Sequence, residues 1–170
     1  MSTLPEYAAV KKTDVLQRIA LWMQNPKTAN GELATLRRME PSEPEAAYAA
    51  IYQFLGENAH TQSPDHLARW ALILHCLALV RGRHQSQAST RFGAALVEIN
   101  YGEARTQMLL RAEFEVLRDV LPRLARRLHA NGVLTDWWPI AHLILDTDVQ
   151  RAREQIVRDY LYAANAKKAA

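Results

Sequence analysis

The sequence RTQMLLRAEFEVLRDVLPRLARRLH, residues 105–129, decides the fold class. Four apolar residues recur along it at spacings of four and three: Leu110, Phe114, Leu117 and Leu121. This spacing is typical of the buried face of an α-helix. Arg111 and Arg118 are seven residues apart, about two helical turns, so we expect them to share the opposite, solvent-facing side. The stretch therefore predicts an amphipathic helix within an all-helical fold.

A proline at position 122 divides this stretch. Proline lacks the N–H that a helix interior requires, and its ring clashes with the preceding turn, so we expect a kink or a new helix start at Pro122. The pattern then resumes, because Leu124 and Leu128 are four residues apart. Three arginines fall on a neighbouring face: Arg123, Arg126 and Arg127. We therefore interpret residues 105–129 as two helical segments that carry six arginines against three acids.

The rest of the chain repeats the helical pattern between start and stop signals. Ser63 followed by Pro64 is typical of an N-cap with proline at the first helical position. Thr13 is the expected cap of the first helix. Three further pairs have the spacing of a capping box: Ser42 with Glu45, Asn100 with Glu103, and Thr147 with Gln150. No alternating run of strand type occurs, so the sequence predicts an all-α fold, a compact bundle of roughly seven to nine helices.

The polar sequence GRHQSQAST, residues 82–90, interrupts this pattern. Its composition predicts an exposed and mobile loop, with Arg83 and His84 at the surface. We expect residues 1–170 to form a single helical domain. The alternative is two helical halves, at about residues 1–82 and 90–166, joined by this loop.

Composition and charge limit the function classes. Hydrophobic residues make up 49% of the chain, which is ample for a core, and the net charge of +3 is only mildly basic. The charge is uneven: residues 40–65 hold five acids and no lysine or arginine, whereas residues 66–97 hold four arginines and no acid. The lone Cys76 lies among apolar residues, so we expect a buried, inert thiol. With no disulfide framework, signal sequence or apolar run long enough for a bilayer, the sequence predicts a cytoplasmic protein without a membrane partner.

No residue pattern indicates catalysis. The six histidines lack metal-ligand spacing, and no nucleophile motif, phosphate loop or dinucleotide motif is present. We therefore expect no metal, no cofactor and no enzymatic activity. The arginines are compatible with two interpretations. They could form an ordinary solvated surface, or they could bind phosphate groups through two parallel hydrogen bonds each. Tyr101 and other tyrosines near basic residues could stack on bases, although helical spacing favours core positions for most of them.

Several segments follow one another in an order that resembles a known family. They are LRR at residues 36–38, then RFGAALVEI, RTQMLLRAEF, VLPRLARRL, DWWPIAHLIL and VQRAREQIVRDYLYAAN. Together they are similar to the CasB family, the small subunit of Cascade, which is the type I-E CRISPR surveillance complex. The resemblance covers about residues 31–165. It implies an all-helical, non-enzymatic subunit that assembles as two head-to-tail copies beside the backbone and large subunits. It also implies contact with the guide RNA and with the target and displaced DNA strands, which stabilises the R-loop.

The resemblance also implies which arginines bind nucleic acid. The positions that match the family are Arg38, Arg105, Arg111, Arg123, Arg151 and Arg153. Adjacent candidates are Arg37, Arg126 and Arg127. Phe114 stands where the family commonly has arginine, and we expect Arg91 and Arg69 to compensate for that charge. The alternative function is a helical protein-interaction adaptor, docked through the acidic surface around residues 40–57, without direct nucleic-acid contact.

Overall fold

The computed structural model describes residues 14–25, 27 and 30–170, apart from the side chains of residues 60 and 61. Within these residues the chain forms nine α-helices and no strand, so the predicted all-α class is confirmed, with a helix number at the top of the expected range. The α-helices are α1 Val15–Gln24, α2 Asn30–Arg38, α3 Tyr48–Leu55, α4 Pro64–Leu79, α5 Phe92–Glu98, α6 Glu103–Arg111, α7 Phe114–Ala130, α8 Trp138–Leu145 and α9 Val149–Ala169. Two 3₁₀-helices, Pro44–Ala47 and Gly56–Thr61, flank α3. None of the described helices is long and apolar enough to cross a membrane.

Helix α4 lies at the centre of the core. Every residue at positions 70–79 is buried, and the helix packs against α2, α3, α7 and α8. Its start is as predicted, because the Ser63 hydroxyl accepts a hydrogen bond from the His66 N–H at 3.2 Å and Pro64 occupies the first turn. Cys76 is fully buried on this helix, and burial raises the pKa of its thiol. The thiol is therefore protonated and inert, as expected.

Helix α7 runs without interruption through Pro122, so the predicted division at this residue is wrong. Four buried leucines continue one stripe across the proline: Leu117, Leu121, Leu124 and Leu128. Pro122 has no N–H to donate to the Arg118 carbonyl, and a proline in a helix interior destabilises the helix by about 3 kcal/mol. Burying four leucine side chains at roughly 1.5–3 kcal/mol each outweighs that loss.

The break in residues 105–129 lies instead at Ala112 and Glu113, between α6 and α7. Contacts from distant parts of the chain stabilise it. Arg153 of α9 donates a hydrogen bond from Nε to the Leu110 carbonyl at 2.8 Å, which satisfies an unpaired carbonyl at the end of α6. The Arg69 guanidinium of α4 lies 4.6 Å from the ring centre of Phe114, the first residue of α7.

Helices α5 and α9 approach closely at Gly93. A Cβ atom added to Gly93 would lie 2.5 Å from the Tyr160 backbone nitrogen and closer still to the Ile156 carbonyl oxygen. Both atoms belong to the α9 backbone, so no side-chain rotation could relieve the clash. Glycine is therefore required here for the two helices to pack.

The structure forms none of the three predicted capping boxes. Ser42 precedes a 3₁₀-helix that contains Glu45, and the N-cap of this helix is Glu43, which makes no side-chain bond. Gly102 occupies the N-cap of α6 in place of Asn100, and α9 starts after Asp148 without a side-chain cap. Thr13 lies outside the described residues, and Asp14 caps α1 by accepting from the Gln17 N–H at 3.1 Å.

The segment at residues 82–90 is not the exposed loop that its composition predicts. His84 is 1% exposed, and its Nδ1 accepts a hydrogen bond from the Trp137 N–H at 2.9 Å. The Gln87 N–H donates to a carboxylate oxygen of Asp136 at 2.9 Å, and Thr135 donates from its hydroxyl to the Thr90 carbonyl at 2.8 Å. The segment is thus bonded along its length to the residues that precede α8. Of the two residues that the loop was expected to present, Arg83 is exposed and His84 is buried, and Gln85, Gln87 and Ser89 are exposed as well.

Asp14 connects this segment to the first helix. Its carboxylate accepts from the Ser86 hydroxyl at 2.6 Å and from the Trp138 indole N–H at 3.1 Å, in addition to capping α1. Three segments that are far apart in the sequence therefore meet at one carboxylate.

Candidate nucleic-acid interface

A cavity of about 570 Å³ lies between the end of α2 and the outer face of α7, and we call it the arginine groove. Five arginines line it: Arg37, Arg38, Arg118, Arg123 and Arg126. Only two carboxylates, Glu40 and Asp119, are among its described lining residues. The groove therefore concentrates positive charge from two helices that are some eighty residues apart in the sequence.

His75 of α4 fixes the α2 side of the groove. Its Nδ1 donates a hydrogen bond to the Leu36 carbonyl at 2.7 Å, immediately before Arg37 and Arg38. Leu33 and Leu36 are buried, which turns the end of α2 so that Arg38 is exposed. Burial lowers the pKa of His75, and the nearby Arg126 lowers it further. His75 is therefore neutral at physiological pH and anchors the turn without adding charge to the floor of the groove.

The leucine stripe of α7 sets the other side. Because that stripe faces the core, Arg123 and Arg126 are directed to solvent, and both are exposed. Neither of them, nor Arg37 or Arg38, forms an ion pair or a side-chain hydrogen bond with another described residue. Their guanidinium donors are thus available to a ligand such as phosphate.

A second cavity of about 270 Å³ adjoins the groove, and we call it the tyrosine slot. Its lining residues are Tyr101, Arg105, Val120, Arg123, Leu124 and Arg127. No carboxylate is among these described residues, and Arg123 borders both cavities. Burial raises the pKa of Tyr101, while Arg105 and Arg127 act in the opposite direction. A continuous basic surface therefore runs from Arg38 to Arg105, with one aromatic ring in it.

An apolar patch lies on the far side of Tyr101. Met108 is 73% exposed and Val116 is 51% exposed, and together with Val120 they line a cavity of about 480 Å³ between α6 and α7. Arg105 and Arg111 flank it, and both are exposed. Large apolar side chains that are exposed side by side are typical of surfaces that bind a partner.

Comparison with known proteins identifies the family. The sequence profile of the CRISPR-associated protein Cse2 matches residues 32–161, which is most of the chain. This chain belongs to the Cse2 family. It also resembles a chain in the crystal structure of Escherichia coli Cascade bound to a PAM-containing double-stranded DNA target. The two chains are 25% identical, the match covers 89% of this chain and 95% of that one, and the TM-score is 0.59. A search of curated proteins gave no match.

Membership in the Cse2 family, which is the CasB family of the sequence comparison, confirms the expected class of protein. Cse2 proteins are non-catalytic subunits of Cascade in type I-E CRISPR systems, where they assemble with other subunits and nucleic acid. The chain is accordingly a Cse2 subunit rather than an enzyme.

Three of the arginines that sequence comparison selected are bonded to the scaffold of this Cse2 chain, and a fourth, Arg151, forms only an exposed ion pair with Asp148 at 3.9 Å. Arg127 donates hydrogen bonds to the carbonyls of Ile99 and Asn100 at the end of α5. Arg153 caps α6 as described above, and Arg91 lies 3.9 Å from the carboxylate of the buried Asp136. These guanidinium groups already bond to or pair with groups of the fold, so they have fewer N–H donors left for a ligand.

The remaining selected arginines divide by location. Five lie on or beside the two cavities and are free of partners among the described residues: Arg37, Arg38, Arg105, Arg123 and Arg126. Arg111 borders the apolar patch, whereas Arg151 is 82% exposed on α9 and lines neither cavity. Arg118 was expected only to lie on the solvent-facing side of its helix. It forms an ion pair with Glu115, and it also lines the groove.

Arg69 and Arg91, which were expected to replace the charge lost at Phe114, are both engaged. Arg69 forms an ion pair with Asp65 at 2.9 Å and donates to the Ile144 carbonyl at 2.7 Å. Its guanidinium also covers the Phe114 ring itself. The structure therefore uses Phe114 to hold a cation from α4 in place, and the expected compensation is not favoured.

One cluster contains the residue types of a hydrolase but not their arrangement. His84 Nδ1 accepts from a backbone N–H, so its Nε2 carries the proton and donates to the Ser86 hydroxyl at 3.3 Å. Ser86 in turn donates to Asp14. A nucleophilic serine requires a histidine that accepts its proton, and here the polarity is reversed. No group of histidine, cysteine or carboxylate residues suited to a metal ion occurs among the described residues.

Proposed function

We propose that this Cse2 subunit binds single-stranded nucleic acid along the arginine groove and the tyrosine slot and thereby stabilises the R-loop. The displaced DNA strand and the guide RNA–target region are the expected ligands, within Cascade in the cytoplasm. The observation that supports this most directly is the set of partner-free arginines that α2 and α7 place around one groove.

Phosphate contacts are suited to this role because they do not depend on sequence. Arginine binds phosphate through two parallel N–H donors and stays charged at any physiological pH. In an RNA-guided complex the guide RNA reads the target sequence by base pairing. The protein subunit therefore needs only to bind the sugar–phosphate backbone of the strand. A surface of exposed guanidinium groups provides that grip without catalysis.

The salt dependence of binding tests the proposal. Each phosphate neutralised on a single strand contributes about 0.7 to the slope of log affinity against log salt concentration. Replacing Arg38, Arg123 and Arg126 by alanine should therefore lower the slope by up to about 2. The measurement is fluorescence anisotropy of a labelled oligo(dT) with the full-length protein over a salt series. Helical content by circular dichroism should be unchanged, because these side chains bond to no other described residue.

A matched variant separates local contacts from net charge. Replacing Arg83, Arg158 and Lys168 by alanine removes the same charge from exposed positions that line neither cavity. This control should keep nearly the full slope. Equal slopes for both triple variants, or no loss in the groove variant, would contradict the proposal.

The apolar patch favours a second function, that of an adaptor between Cascade subunits. Met108 and Val116 are too exposed to serve the core, and Glu43, Glu45 and Glu57 form an exposed acidic surface around α3. Neighbouring subunits or a second copy in head-to-tail order would cover such surfaces. Firm co-purification with the other Cascade subunits, together with no binding of single strands by the isolated chain, would favour the adaptor.

A further inference from the structure

The tyrosine slot has a composition that phosphate binding alone does not explain. Its inner surface is apolar, from Val120 and Leu124, and one wall is the half-buried ring of Tyr101. The same ring and Val120 also border the apolar patch, so the ring stands between two apolar hollows. Arginine side chains lie only around this apolar interior.

The ring is held in place by the bonds of its own backbone. The Tyr101 carbonyl accepts a hydrogen bond from the Tyr160 hydroxyl at 3.1 Å, and the Tyr101 N–H donates to the Leu96 carbonyl at 2.8 Å. Arg127, bonded to the adjacent carbonyls of Ile99 and Asn100, fixes the turn that leads to it. The Tyr101 hydroxyl bonds to no other described residue. The position is therefore preorganised, although its polar end has no role within the described fold.

We propose that the tyrosine slot binds one unstacked nucleobase of a single strand, with the base against Tyr101 and its flanking phosphates on Arg105 and Arg123. The proposal rests on the function given above and names a distinct contact within it. Charge supports this occupant, because the slot has free cations at its rim and no carboxylate among its described lining residues. An apolar peptide segment would gain nothing from that rim. A base stacks on an aromatic ring whatever its sequence, so the contact is compatible with sequence-blind binding.

The two kinds of contact respond differently to salt, which makes them separable. Phosphate contacts weaken as salt rises because binding releases counterions. Stacking of a base on an aromatic ring releases none. A strand without bases should therefore lose affinity for this protein by a constant factor at every salt concentration, with the slope unchanged.

The experiment compares two strands of equal charge with the full-length protein. One is an abasic sugar–phosphate strand, and the other is the same strand with a single 2-aminopurine at its centre. The base should raise affinity by about 5- to 150-fold, the range that one base–aromatic stack contributes. The 2-aminopurine fluorescence should be quenched on binding. Deoxyribose and ribose versions of both strands show whether DNA or RNA is preferred.

Two substitutions assign the effect to the ring. Tyr101→Phe keeps the aromatic face and should retain both the preference for the base and the quenching. Tyr101→Leu keeps an apolar side chain that still packs beside Val120 and Leu124, and it should remove both while leaving the salt slope unaltered. A circular dichroism melt of each variant confirms that the fold persists.

The outcomes separate this inference from the function on which it rests. If both strands bind with the same affinity and slope, or if Tyr101→Leu retains the quenching, the base site is overturned while phosphate binding stands. If neither strand binds in a salt-dependent manner, the proposed function fails, and the base site fails with it.

Discussion

Replacing Gly93 by alanine should destabilise the protein, because the added methyl group would clash with the backbone of α9. The added Cβ would lie 2.5 Å from the Tyr160 nitrogen and nearer to the Ile156 carbonyl oxygen, both in the backbone of α9. Real Cβ contacts essentially never fall below 3.0 Å. Helices α5 and α9 must therefore move apart by at least about half an ångström along their contact, which loosens the packing of neighbouring side chains as well.

The expected cost follows from two opposing effects. Overpacking a core contact costs about 1–3 kcal/mol, and the upper end applies where only backbone could yield. Alanine is a better helix former than glycine by up to about 1 kcal/mol, which offsets part of that cost. We therefore expect Gly93→Ala to lower the free energy of unfolding by about 2 kcal/mol, or the melting temperature by about 4–8 °C.

The assay is urea unfolding of the purified protein, followed by far-ultraviolet circular dichroism. Gly31→Ala is the matched control, because a Cβ added to Gly31 in α2 meets no atom within 4 Å. That substitution should stabilise the protein by up to about 1 kcal/mol. If Gly93→Ala were as stable as the parent protein, the close approach of α5 and α9 would be refuted.

Two further predictions concern buried polar groups. Burial lowers the pKa of both His75 and His84, so the unfolded chain binds protons that the folded chain does not. Stability should be level above about pH 6.5 and fall as the pH drops below it, by up to about 1.4 kcal/mol per pH unit for each histidine. Urea midpoints that do not change between about pH 7 and 5 would contradict this. Asp14→Ala should cost about 2–4 kcal/mol, because it removes a helix cap and leaves Ser86 and Trp138 without an acceptor. Asp14→Asn, which retains one acceptor oxygen, should cost less in the same assay, and equal stability of all three proteins would rule out the network.

Helix content was predictable from the sequence because burial follows periodicity. The stripe of α7 and the apolar run of α4 each contain enough leucine to define a face without knowledge of the partner helix. The same stripe shows why the prediction at Pro122 failed. Its leucines keep one register on both sides of the proline, and their burial stabilises the helix by more than the missing N–H of Pro122 destabilises it.

Capping was predictable only where two signals coincided. Ser63 is followed by a proline that is restricted to the first turn, and the predicted cap is present. Thr147 had only its spacing from Gln150, and each residue found another partner: Thr147 bonds with His142, and Gln150 donates to Glu154. Short polar side chains can satisfy several backbone or side-chain groups, so spacing alone does not select among them.

The location of the candidate site was the least predictable feature. Sequence spacing correctly placed Arg123 and Arg126 on a solvent-facing side of their helix, but not that α2 would bring Arg38 to the same groove. It also could not distinguish free arginines from those that serve the scaffold. Arg127 and Arg153 have the same local setting as their neighbours, and their carbonyl partners lie 28 and 43 residues away.

The bonds made by Asp14 have a consequence for the order of folding. The carboxylate joins α1 to residues 72 and 124 positions further along the chain. Closing such long loops costs entropy that local helix pairs do not incur, so contacts of this kind form late. Helix α1 packs against α3 and α4, which are synthesised soon after it, but the Asp14 carboxylate cannot bond to the Trp138 indole until α8 has docked. We therefore expect a late intermediate in which α1 already packs on the centre of the bundle while the bonds of Asp14 to Ser86 and Trp138 are still unformed.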